Sequence, residues 1–235
     1  MVIQDKKHFY RGLGLAISFL ILLMVIISPV FEGKNGLEYA DDMFNKLSKG
    51  SSYFIPDLAR SIEKFKGEQI QVSINFETPE ELKRTVHLLN ISQIKAESQG
   101  KTLKIEGNLG ELLVTALRDA DLMYHNEGEK VKSLYGYNEK QVMKDWWQLF
   151  DRLGKDFKKN KVVEKAEILS KVNKKGIEAA YNFYQIDPVK VSERAGILSG
   201  LLIFYVCYTL WWGFALMYLV EGLGLTMKKG VRKEE

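Results

Sequence analysis

Residues 195–220 read AGILSGLLIFYVCYTLWWGFALMYLV and contain no charged side chain. A bilayer's hydrocarbon core, about 30 Å thick, needs roughly 20 such residues as helix. This run therefore predicts a membrane helix with length to spare for tilt. A second charge-free run occupies residues 12–31, GLGLAISFLILLMVIISPVF. Lys6, Lys7 and Arg11 before it would also suit a secretory signal. Its apolar part is long for that role, and Ser28-Pro29-Val30-Phe31-Glu32 offers no Ala-x-Ala-like cleavage site. An uncleaved anchor is the expectation.

The mean hydropathy of -0.16 resembles that of a soluble protein because the apolar residues concentrate at the two ends. The 235 residues carry a net charge of only +4, with no basic block interleaved with aromatics, which argues against a nucleic-acid partner. The single cysteine, Cys207, excludes an intrachain disulfide, a cysteine-based zinc site and covalent c-type haem. No cofactor is expected.

Orientation follows the flanking bases. Lys6, Lys7 and Arg11 precede the first run; Lys228, Lys229, Arg232 and Lys233 follow the second. The inner flanks hold fewer: Lys34, Lys46, Lys190 and Arg194. Both termini are expected in the cytoplasm and residues 32–194 outside it. With no disulfide framework in an exported domain of this size, a prokaryotic inner (cytoplasmic) membrane and a periplasmic or extracellular domain are expected. Asn90-Ile91-Ser92 fits a glycosylation sequon, a tripeptide common by chance.

Within the middle segment, Leu37, Ala40, Phe44 and Leu47 recur at helical spacing, as do Leu58, Ile62 and Phe65. These two helices are read as a hairpin. In QIQVSINF, residues 69–76, Ile70, Val72, Ile74 and Phe76 alternate with polar residues, the mark of a half-buried strand. Thr78-Pro79-Glu80-Glu81 starts a helix with Thr78 as N-cap and Glu81 completing a capping box. SQIKAE and KTLKIEG read as two strands joined at Gln99-Gly100, and Asn108 caps a helix reaching His125. The β-α-β-β-α order resembles most of a ferredoxin-like unit if KVKSLYG, residues 130–136, supplies a last strand. Two longer helices are expected, from Asn138 to about Lys158 and over 162–184, followed by a helix start at Asp187-Pro188.

The fold class is thus a membrane protein with two transmembrane helices and an α+β extracytoplasmic domain, a small antiparallel β-α-β-β-α unit plus helical hairpins. The expected divisions are a cytoplasmic tail 1–11, a membrane helix 12–31, the outer domain 32–194, a membrane helix 195–220 and a cytoplasmic tail 221–235.

No Gly-x-Ser-x-Gly, P-loop, His-Glu-x-x-His or Rossmann pattern occurs. Asp121 and His125, one helical turn apart, are the best candidate metal ligands, with Glu127 or Glu129 nearby; the competing reading is a solvated acidic face. Tyr135, Tyr137, Trp146 and Trp147 form the densest aromatic stretch of the outer domain and are candidates for binding a partner or ligand. Adjacent tryptophans on a helix point about 100° apart. Either Trp146 and Trp147 divide between core and groove, or both fill a core between helices. On the second membrane helix, Phe204, Tyr208, Trp211, Ala215 and Tyr218 form one stripe, read as docking another subunit or packing on the first helix. Gly196 and Gly200, four apart, suit close helix approach, to the first helix or to a second copy. Gly12 and Gly14 follow Arg11, and Gly222 and Gly224 follow Glu221. With both termini on one side these glycines meet, and an Arg11–Glu221 ion pair is expected.

The expected function is non-enzymatic: an accessory or scaffold subunit of a larger membrane complex, whose partners are the bilayer and other membrane subunits or a second copy. A ligand-binding sensor subunit and a metal-dependent periplasmic enzyme are the alternatives.

Overall fold

The computed structural model describes residues 3–225. The basic residues Lys228, Lys229, Arg232 and Lys233 lie outside the described residues. The chain is mostly helical, with one small sheet, and divides into two compact units, residues 3–47 with 189–225 and residues Ser48–Pro188.

The first unit holds α1 (Lys6–Ile27), most of α2 (Gly36–Ser51) and α10 (Val191–Gly222). Both α1 and α10 are long and apolar enough to cross a membrane. The Asp5 carboxylate starts α1 by accepting from the backbone N–H groups of Lys7 and His8. Before α10 the backbone is extended at Lys190, so this helix begins at Val191 and not at Asp187-Pro188.

α1 and α10 pack antiparallel. Phe19 stacks on Tyr208 at 4.3 Å between centroids and lies 4.6 Å from Trp212. The Trp211 indole N–H donates to the Leu15 carbonyl at 3.2 Å, and the backbone N–H groups of Gln4 and Asp5 donate to the Gly222 carbonyl. Gly12 and Gly222 permit the approach. A Cβ on Gly12 would lie 2.6 Å from the Leu219 nitrogen, and one on Gly222 2.5 Å from the Phe9 nitrogen.

The second unit contains α3 (Ile55–Ile62), ending in a 3₁₀ turn at Glu63–Phe65, then β1 (Gln69–Asn75) and α4 (Pro79–Ile91). Next come β2 (Lys95–Gln99), β3 (Thr102–Asn108), α5 (Leu109–Tyr124), α6 (Gly128–Tyr135) and α7 (Glu139–Lys159). The unit ends with α8 (Val163–Val172), a π-helical turn at Asn173–Ile177, and α9 (Glu178–Phe183). The sheet is antiparallel in the order β1-β3-β2. β1 buries Ile70, Val72 and Ile74 and exposes the residues between them. Gly100, at φ +62°, is the first of two turn residues joining β2 to β3, where a tight hairpin needs a positive φ.

Three sequence expectations are corrected. Residues 130–136 are not a strand. Val131 and Tyr135, four apart, are buried together as helix α6, which Gly136 terminates in the left-handed conformation at φ +76°. The sheet therefore keeps three strands. The Thr78 hydroxyl does cap α4, accepting from the Glu81 N–H, but the Glu81 carboxylate is taken by Arg152 at 2.5 Å. The helix expected over 162–184 contains the π turn, at which Gly176 packs tightly, a Cβ there lying 3.0 Å from the Leu117 and 3.2 Å from the Leu58 side chain.

Candidate functional site

The candidate aromatic residues lie in the second unit, where α5, α6 and α7 pack on one another. Two carboxylates inside this packing organise them. Asp119, fully buried on α5, accepts from the Tyr135 hydroxyl, from the Trp146 indole N–H at 3.0 Å and from the Arg118 guanidinium at 2.9 Å. Asp145, buried on α7, repeats the pattern. It accepts from the Tyr137 hydroxyl at 2.9 Å, Gln141 Nε2 at 2.8 Å and Arg84 Nε at 3.1 Å. Burial first, and the adjacent carboxylates second, push both phenols well above the usual tyrosine range. His87 Nε2 lies 2.9 Å from the Tyr135 carbonyl. Tyr135, Tyr137 and Trp146 are thus held by buried acids, and their polar tips have partners within the fold.

Trp147 has a different environment. It is 41% exposed and lines a groove of about 280 Å³ with Met143, Lys144, Ile177, Glu178 and Tyr181. Helical spacing explains the arrangement: Met143 and Trp147 are four apart on α7, and Ile177 and Tyr181 are four apart across the π turn and α9. The Lys140 ammonium lies 5.7 Å from the Tyr181 ring centroid and 5.8 Å from that of Tyr184. Asn173, in the π turn, donates from Nδ2 to the Trp147 carbonyl at 3.1 Å and so ties the two walls. Single π turns of this kind concentrate at functional sites. The groove has an apolar floor, two half-exposed aromatic walls and one charge of each sign, suited to a single apolar or planar group. Sequence reasoning found Trp147 and missed Met143, Ile177 and Tyr181. Their i, i+4 spacing was readable; the meeting of their two helices was not.

Asp121 and His125 do come together, with His125 Nδ1 3.2 Å from Asp121 Oδ1. The Tyr53 hydroxyl donates to that same oxygen at 2.7 Å. Burial and this bond push the Tyr53 phenol up to about 12. Glu127 pairs with Lys130 and Glu129 with Lys132. Among the described residues no group of three or more His, Cys, Asp or Glu side chains is placed to hold a metal ion. The arrangement is a local contact between Asp121 and His125, closed by a tyrosine.

In the first unit, Gly12 and Gly222 lie at the helix contact, whereas a Cβ on Gly14, Gly196 or Gly200 would meet nothing within 4 Å. Gly224, at φ +76°, faces Gln4. Tyr208 and Trp211 both face α1. Glu221 lies 4.0 Å from His8 Nε2, and no Arg11–Glu221 pair occurs among the described residues. The register explains the difference. Gly222 sits on Phe9, which brings Glu221 to the level of His8, and Arg11, beside the contact residue Gly12, projects about 100° from it. Gly196 and Gly200 have open space around them.

No family model, curated protein or solved structure matches this chain.

Proposed function

We propose that the protein is a non-enzymatic integral membrane protein, anchored by α1 and α10, that serves as an accessory or scaffold subunit of a larger membrane assembly. Both termini are cytoplasmic in this reading, and residues 32–194 lie outside. The observation that carries it is Tyr205, which is 65% exposed on α10. Its hydroxyl has no hydrogen-bond partner among the described residues. Ten residues of helix from Ala195 place it about 15 Å deep, near the middle of a hydrocarbon core. A phenol there needs an acceptor, and lipid tails offer none. The half of α10 around it is uncovered, with Leu202, Ile203 and Val206 also exposed. A neighbouring membrane helix supplying an acceptor satisfies both facts.

A photo-activatable residue at position 205 tests this in intact membranes. Cross-linking to another membrane polypeptide or a second copy is expected, and only background from exposed Ile17 on α1. Equal, negligible cross-linking from both positions would overturn the docking reading.

The groove at Trp147 favours a second reading, a sensor subunit that binds a small apolar or planar ligand outside and signals through a partner. A ligand seated between Trp147 and Tyr181 raises the thermal midpoint of the full chain in wild type and not in Trp147→Ala. A shift of equal size in both would place the ligand elsewhere.

A further inference from the structure

At the end of the first unit where α1 stops and α10 starts, a polar pocket of about 210 Å³ is lined by Glu32, Lys34, Tyr39, Asp42, Met43, Lys46, Val189 and Arg194. Three short features build it. The first is a two-residue turn in which Phe31 and Lys34 exchange backbone hydrogen bonds of 3.0 and 2.9 Å. Glu32 and Gly33 both have positive φ there, +55° and +81°, as a type I′ turn requires. The second is one face of α2, on which Tyr39, Asp42, Met43 and Lys46 recur at helical spacing. The third is the strand-like approach to α10, tied to α2 by the Val189 N–H donating to the Lys46 carbonyl at 3.1 Å.

The charges within the pocket are unequal. Lys34 and Asp42 form an ion pair, which holds the ammonium above and the carboxyl below their usual ranges. Lys46 and Arg194 have no carboxylate within ion-pair distance among the described residues, although Lys46 lies near enough to Asp42 to add to the lowering of its carboxyl. The lining therefore carries three cations against two carboxylates, a net charge of +1. Its place along the chain is equally specific. Glu32 and Lys34 immediately follow the first charge-free run, and Arg194 immediately precedes the second. On the reading that both runs span a bilayer, this pocket lies at the depth of the lipid headgroups.

We propose that the pocket binds the phosphate of an anionic phospholipid headgroup, with Lys46 and Arg194 as its ligands. Lys34, engaged with Asp42, shapes the wall. A phosphodiester carries one negative charge and matches the net +1. The Arg194 guanidinium offers the planar fork suited to phosphate oxygens, and the Lys46 ammonium adds a point charge. The inference rests on the membrane-spanning reading.

The test uses the full chain in neutral detergent with equal amounts of phosphatidylglycerol and phosphatidylcholine, scored by native mass spectrometry. Wild type is expected to retain phosphatidylglycerol preferentially, by about thirtyfold for two cations at about 1 kcal/mol each. Lys46→Gln/Arg194→Gln is expected to bring that ratio near one, while Lys158→Gln/Lys159→Gln at the end of α7 leaves it unchanged. A ratio near one in wild type, or one that survives the Lys46/Arg194 exchange, overturns the site. Stripping of the lipid by glycerol 3-phosphate at equal concentration would assign the pocket to a free phosphate and overturn the lipid. Flotation of the full chain with phosphatidylcholine vesicles tests the membrane reading separately. Failure there removes both, whereas flotation with no headgroup preference removes only the pocket.

Discussion

Trp146 and Trp147 are neighbours in sequence and opposites in environment. Trp146 is fully buried and donates to Asp119, whereas Trp147 is 41% exposed in a groove. Trp146→Ala should therefore cost about 3–5 kcal/mol of stability, and Trp147→Ala less than about 1 kcal/mol. Denaturant unfolding of the full chain in detergent compares them, and equal losses would contradict the division. Asp119→Ala strands the Tyr135 hydroxyl and the Trp146 N–H in the core. At about 1–3 kcal/mol for each buried unsatisfied group, a loss of at least 2 kcal/mol is expected in the same measurement. A smaller loss would mean that water reaches Asp119. Helix geometry offered this division as one of two readings and did not say which tryptophan would be buried. The buried acids were not legible, because Asp119 meets Tyr135 and Trp146 from 16 and 27 positions away, and spacing of that size says nothing about contact.

Alkaline pH probes the same residues collectively. Tyr53, Tyr124, Tyr135, Tyr137 and Tyr184 all have phenols raised above 10.0, Tyr53 to about 12. The folded state holds these protons after the unfolded chain has released them. Their contribution is complete below pH 10 and is lost as pH rises above it, through about 12 for Tyr53. Lys49 acts in the opposite sense. Burial lowers its ammonium below 10.5, so its contribution grows with pH up to that value. Five tyrosines outweigh one lysine, and the thermal midpoint of the full chain should fall above pH 10. The fall should be shallower in Tyr135→Phe. A midpoint that holds steady from pH 9 to pH 12 would contradict this assignment.

At the scale of elements, what the sequence revealed was local. β1 followed from strict alternation, and the Asn108 and Asn138 caps marked the starts of α5 and α7. The misread element, α6, is eight residues long, a length at which a valine and a tyrosine four apart fit either period. The π turn left no periodic mark, because one extra residue in a helix shifts the pattern without ending it. The two Gly-Leu-Gly-Leu segments were legible as a meeting of helix ends, but the register that puts Glu221 beside His8 was not. Gly12→Leu would force a side chain against the backbone of Leu219 and Ala215. It should cost about 1–3 kcal/mol, the usual penalty of overpacking. Gly200→Leu, with open space around it, should leave the α1–α10 pair intact. Thermal unfolding of the full chain in detergent distinguishes them, and equal midpoints would show that α1 and α10 do not pack through Gly12.

For the whole molecule, the decisive features are two helices, α1 and α10, each long and apolar enough to cross a membrane, which precede and follow the folded unit Ser48–Pro188 in the chain. The described side chains supply a groove at Trp147, a polar pocket beside Arg194 and an exposed face of α10. The roles proposed for α10 and for the polar pocket require that the protein spans a bilayer with residues 32–194 outside. The single native cysteine makes this directly measurable. In Cys207→Ser, one new cysteine is placed at Asp5 and, separately, at Lys158, and intact cells are treated with a membrane-impermeant maleimide. Labelling at position 158 before permeabilisation, and at position 5 only after it, is the expected result. Labelling at position 5 in intact cells, or protection of position 158, would contradict the topology on which the account rests.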